Sequence, residues 1–166
     1  MIAVSDSSPL VILAKLASFD LVRSLFAKVY ISEEVRREVV EFGAGLPGAL
    51  EVERADWIET KQILNPAELL MLRERHPLGL GELSAILLAK EVHANTILLD
   101  DHNARRLAQV EGLQVLGTVG VLETAYLKGH LADLRAAFAQ LLTHSYIDKR
   151  LLNSRLRSFR LSPLSG

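Results

Sequence analysis

Two short apolar runs in this chain each stop on an acidic residue, and this constrains the fold more than any other feature. Ile2-Ala3-Val4-Ser5 ends at Asp6, and Thr96-Ile97-Leu98-Leu99 ends at Asp100. Runs of this length, set between helical stretches, read as buried strands of a parallel sheet covered on both faces. After the first run, Asp6-Ser7-Ser8-Pro9 carries the polar cap and early proline of a helix start. That helix places Leu10, Leu13, Ala14 and Ala17 on one face.

The alternation continues along the chain. A short helix is expected over 20–26, then a strand over 28–31 and a helix capped by Ser32, with Val35, Val39 and Phe42 sharing a face. Residues 43–50, Gly-Ala-Gly-Leu-Pro-Gly-Ala-Leu, read as a loop, and 57–60 as a strand. Asn65-Pro66 opens a helix that ends before His76-Pro77, and Gly79-Leu80-Gly81 leads into a helix over 82–92. Further helices are expected over 101–110, over 118–127 with Thr118 as cap, over 131–142 and over 147–159, with a strand at 114–116. At 166 residues there is room for one compact domain. We expect a three-layer α/β/α sandwich with a central, mainly parallel sheet over 1–145. Residues 146–166 should add a basic amphipathic helix, packed on the domain or extending from it.

Composition removes several chemistries. The chain has no cysteine, which excludes disulfides, thiolate zinc sites and cysteine nucleophiles. Lys+Arg at 19 against Asp+Glu at 20 leaves a net charge of −1, so any affinity for nucleic acid must come from a local patch. No apolar run approaches the roughly 18 residues that span a bilayer, and the start lacks the basic region of a signal peptide. A cytoplasmic protein with no membrane partner is the expectation.

In open parallel sheets, ligands bind beyond the carboxyl ends of the strands. Asp6 and Asp100 emerge there, and they converge if their strands are neighbours. Glu82, just after the glycine-flanked turn, can face the same edge, and Glu38 joins it only if its helix turns that way. Carboxylates brought together raise one another's pKa, and a hard divalent cation such as Mg²⁺ or Mn²⁺ relieves the repulsion. Such an ion activates water for attack on phosphorus, with no protein nucleophile needed. Taken singly, each acid has a plainer role. Asp6, Asp100 and Asp101 suit helix caps, Glu82 suits a helix dipole, and Glu38, preceded by Arg36 and Arg37, suits a solvated face. Arg105 and Arg106 lie on the helix after Asp100, where they either hold a substrate's phosphates or form an exposed helix face, and His102 and Asn103 either touch substrate or serve the helix start. The tail carries Lys149, Arg150, Arg155, Arg157 and Arg160, with Leu152, Leu156 and Phe159 at helical spacing. His76, His93, His130 and His144 share no spacing and carry no assignment.

These residues resemble the PIN-domain family of metal-dependent ribonucleases, most closely the branch of VapC-like toxins and their prokaryotic relatives. The carrying segments are Ile2-Ala3-Val4-Ser5-Asp6-Ser7-Ser8-Pro9-Leu10, Ile31 to Val39, Gly79-Leu80-Gly81-Glu82-Leu83-Ser84-Ala85-Ile86, Ile97 to Arg105, and Gly117-Thr118-Val119-Gly120-Val121-Leu122. The resemblance implies that Asp6, Glu38, Glu82 and Asp100 form an acidic quartet for Mg²⁺ or Mn²⁺. Asp101 competes with Asp100, and strand termination favours Asp100. Metal ligands are then Asp6, Glu82 and Asp100, with Asp101 as the further candidate, and Ser7, His102, Arg105 and Arg106 fall to substrate. Ser84 departs from relatives that carry a second acid there, which weakens a second metal site. The resemblance further implies an endoribonuclease, plausible as the toxin of a toxin–antitoxin pair, with a small antitoxin partner and homodimerisation. The rival readings are a catalytically silent PIN-like RNA-binding module and a receiver-type phosphotransfer domain. A receiver would want an acidic pair at the first strand, where Asp6 stands alone.

Overall fold

The computed structural model describes residues 1–145 and 147–165. Five parallel strands, β1 (Ile2–Ser5), β2 (Lys28–Ser32), β3 (Ile58–Lys61), β4 (Thr96–Leu98) and β5 (Val115–Leu116), form one sheet in the order β3-β2-β1-β4-β5. The chain builds outward from β1 to β3, then crosses back to place β4 on the other side of β1. The strand order therefore reverses between β1 and β4, and a crevice opens at their carboxyl ends.

Successive residues of a strand point to opposite faces, and the core divides accordingly. Ala3, Val29, Ile31 and Leu98 face a layer made by α1 (Ser7–Lys15), α2 (Asp20–Leu25), α8 (Thr118–Leu127), α9 (Leu134–His144) and α10 (Lys149–Ser158). Val4, Ile97 and Leu99 face α6 (Leu80–Glu91) and α7 (His102–Val110). The sandwich is thus three-layered, as the strand and helix patterns predict. Between β2 and β3 lie α3 (Glu33–Arg36), a π-helical continuation over Arg37–Phe42, and α4 (Ala49–Arg54); α5 (Pro66–Arg75) precedes α6.

Several boundaries differ from those expected. Val35 and Val39 are buried, but Phe42 is 76% exposed. The π-helical winding of Arg37–Phe42 has a wider turn than an α-helix and carries Phe42 off the shared face. Residues 49 and 50, expected as loop, already belong to α4, whose start is closed by the Gly48 N–H donating to the Glu51 carboxylate at 2.6 Å. Thr118 is the first residue of α8 and Gly117 the cap, so the Thr118 hydroxyl is free for another partner. The helix expected from 131 begins at Leu134, where the Asp133 side chain accepts the Ala136 N–H at 2.9 Å.

α10 is part of this core. Its Leu152 and Leu156 are fully buried, and the Arg155 guanidinium binds the Glu123 carboxylate on α8 through two hydrogen bonds. Among the described residues, no helix is long and apolar enough to cross a membrane. Leu156→Ala should cost roughly 2–5 kcal/mol. Urea unfolding will show this as a lower midpoint in a single transition; loss of α10 alone, with the rest unchanged, would contradict the packing.

Candidate active site

The reversal between β1 and β4 brings two strand-end acids together. Ser5 pairs with Leu98 across the sheet, and the Asp6 N–H donates to the Leu98 carbonyl at 3.0 Å. Asp6 and Asp100 therefore leave adjacent strands at one edge. Glu82, in the first turn of α6, and Glu38, in the π-helical segment, reach the same place from two further elements. All four line a single cleft of about 1060 Å³, together with Asp101, Ser7, Ser8 and Arg105.

Asp6 is 5% exposed and holds the cap position of α1, yet its side chain makes no capping hydrogen bond. Its carboxylate is left facing the cleft. Burial pushes its pKa from the ordinary 3.8 up to about 7, and the charges of Glu82, Glu38 and Asp100 push the same way, against the Ser7 backbone N–H. Glu82 is also raised, first by burial and then by the charge of Asp101. Its Oε2 is buried with no hydrogen-bond partner among the described residues. An acceptor without a protein donor at such a place is open to a water or a cation.

The other two acids are held by hydroxyls. Asp100 Oδ1 accepts the Thr118 N–H at 2.7 Å, and its Oδ2 accepts the hydroxyls of Thr118 at 2.7 Å and Ser8 at 3.1 Å. Asp100 thus caps α8, a helix eighteen residues on, while Asp101 caps its own helix by accepting the Ala104 N–H at 2.9 Å. Glu38 accepts the Ser7 hydroxyl. It lies so close over Gly81 that a Cβ there would stand 2.5 Å from Glu38 Oε1. Only glycine leaves that space, so Gly81 is the reason Glu38 can lie at this edge.

The remaining candidates divide. Arg105 lines the cleft, and a Cβ at Gly117 would meet its guanidinium at 2.6 Å. His102 and Arg106 are exposed on α7 and are not among the cleft-lining residues. Ser84 is fully buried and bonded to Ser32 Oγ at 2.7 Å, so it braces the start of α3 instead of facing the cleft. Ser8 and Thr118, which fix Asp100, were not singled out for the site by sequence reasoning. Their signal was present only as a second serine after Asp6 and as the Gly117-Thr118 helix start.

The donor set suits a hard divalent cation: it is all oxygen, negative, and includes the unpartnered Glu82 Oε2. Among the described residues, no three His, Asp or Glu side chains enclose a common point. A magnesium-type ion does not require that, since it is commonly held by one or two carboxylates and keeps waters for the rest.

The raised Asp6 pKa sets a pH dependence. A carboxyl with a pKa of 3.8 unfolded and about 7 folded costs nothing well below 3.8 and costs increasingly as pH rises through the window to about 7. Metal-free Asp6→Asn should therefore be more stable than the wild type near pH 8, by on the order of 1–4 kcal/mol, with the gap closing towards pH 4. Urea titrations in chelator at the two pH values measure it; a constant gap would contradict the burial of a strained acid.

A family model described as PIN domain (DUF3368) matches residues 2–160, nearly the whole chain. No curated protein matches it significantly. The match spans all five strands and the cleft acids Asp6, Glu38, Glu82 and Asp100, and the chain belongs to the PIN-domain family.

Proposed function

We propose that this protein is a metal-dependent endoribonuclease that works at the cleft between β1 and β4. PIN domains are generally nucleases and generally use divalent metal ions. The observation that carries the proposal is Asp6, a buried carboxylate at a helix cap whose side chain does no capping and which is crowded by three other acids. A fold has no structural use for that arrangement, whereas a cation site does.

Asp6 and Glu82 would hold Mg²⁺ or Mn²⁺, Asp6 by its buried charge and Glu82 by its unpartnered oxygen. Bound there, the ion supplies positive charge that acidifies water and offsets the charge of a phosphodiester. Asp100 keeps three of its roughly four acceptor positions filled by Thr118 and Ser8, which leaves one directed elsewhere and fixes its orientation. Glu38, steadied by the Ser7 hydroxyl, is available to accept a proton at its unbonded Oε1. Arg105 adds a cation beside the acids, where a phosphate would otherwise be repelled.

The same proposal extends to a toxin's role with a small antitoxin partner, tested by co-purification with the product of a neighbouring small reading frame. A silent RNA-binding module is the second reading, favoured by the absence of three enclosing carboxylates among the described residues. Cleavage assays separate the two. Wild type should cut single-stranded RNA with Mg²⁺ or Mn²⁺ and stop in EDTA, and Asp6→Asn should lose at least about a hundredfold, the scale of a lost electrostatic contribution. Equal cleavage by Asp6→Asn and wild type, both free of host nuclease, would overturn the proposal. Gly81→Ala, which must displace the Glu38 carboxylate, should fold normally yet cut more slowly.

A further inference from the structure

The cleft does not end at the acids. It continues past Thr118 between α1, α8, α9 and α10, where its lining turns apolar: Ile12, Val119, Leu141, Ile147 and Leu151. None of the proposed chemistry uses this half. At its rim stand Lys15 on α1 and His144 at the end of α9, with Arg105 at the junction with the acidic half. Among the described residues none of these three makes an ion pair, whereas Arg155 in the same wall is committed to Glu123. One continuous groove thus runs from a carboxylate cluster to an apolar floor bordered by uncommitted basic side chains.

We propose that this apolar end is a nucleoside subsite: it takes the base of a nucleotide flanking the scissile phosphate, with Lys15 and Arg105 on that nucleotide's phosphates. The inference rests on the ribonuclease proposal and adds where the substrate strand lies. Charge and continuity favour this occupant. The groove is continuous with the acidic end, and a strand's alternation of flat apolar base and anionic phosphate matches floor and rim. An apolar peptide segment would cover the floor but leave Lys15 and Arg105 without partners. α10 is what completes the subsite, since its buried Leu152 and Leu156 and the Arg155–Glu123 pair hold Leu151 over the groove.

Leu151 is 49% exposed and Lys15 exposed, so both can be changed without opening the core. The test measures Mg²⁺-dependent cleavage of a short mixed-sequence single-stranded RNA by wild type, Leu151→Ser and Lys15→Gln, with Mg²⁺ affinity followed by calorimetry. Leu151→Ser should raise KM about tenfold with kcat nearly unchanged, the effect of losing part of one apolar contact. Lys15→Gln should raise KM and flatten its salt dependence by a slope of roughly 0.7, one phosphate contact. Mg²⁺ affinity should not move in either. Wild-type KM and salt slope in both variants, with the wild type active, would overturn the subsite and leave the nuclease proposal standing. A wild type that neither binds nor cuts RNA would overturn both.

Discussion

The burial of Asp6, with other carboxylates around it, is the unfavourable interaction around which the rest of the structure is arranged. Asp6 is nearly buried at the one point of the sheet where the strand order reverses, and its pKa of about 7 records the cost. Like charges at such a place disperse unless several elements hold them there. Here four separate elements converge: the ends of β1 and β4, the first turn of α6 and the π-helical stretch after α3. Each is anchored in a layer of the sandwich, so the apolar core supplies the restraint that the acids themselves oppose.

Hydrogen-bond donors are shared unevenly among the acids. Asp100 receives a backbone N–H and two hydroxyls and Glu38 one hydroxyl, while Asp6 receives the Ser7 N–H and Glu82 keeps a bare oxygen. The site is divided into supported acids and acids in want of a partner. That division is why the proposed cation is placed on the Asp6 and Glu82 side. Asp101 sits on the boundary: it caps α7 through one oxygen and raises Glu82 through its charge.

The strand-end positions of Asp6 and Asp100 were legible in the sequence because a buried strand is a local pattern, and so was the sandwich that follows from alternating strands and helices. Glu38 was legible only through the family resemblance, because its direction depends on a π-helical turn and on the missing side chain at Gly81, neither of which leaves a periodic trace. The same turn explains why Phe42 is exposed although its spacing matches Val35 and Val39. Ser8 and Thr118 escaped because their partner, Asp100, is 92 and 18 residues away and the pairing exists only once the sheet closes. Asp6 was ambiguous between cap and site, and only the three-dimensional structure shows that its carboxylate makes no helix-capping hydrogen bond. The tail could be read as basic and amphipathic, but not that Leu151 would border the groove.

The central claim is that these carboxylates are gathered to hold a divalent cation, and Mn²⁺ titration calorimetry in buffers of differing ionisation enthalpy tests it most directly. Displacing the proton from an Asp6 that titrates at about 7 makes binding release protons. The account predicts Mn²⁺ binding that releases close to one proton near pH 6 and almost none near pH 8.5, about one unit below and one and a half units above that pKa. No Mn²⁺ binding at either pH, or binding with no proton release near pH 6, would contradict it.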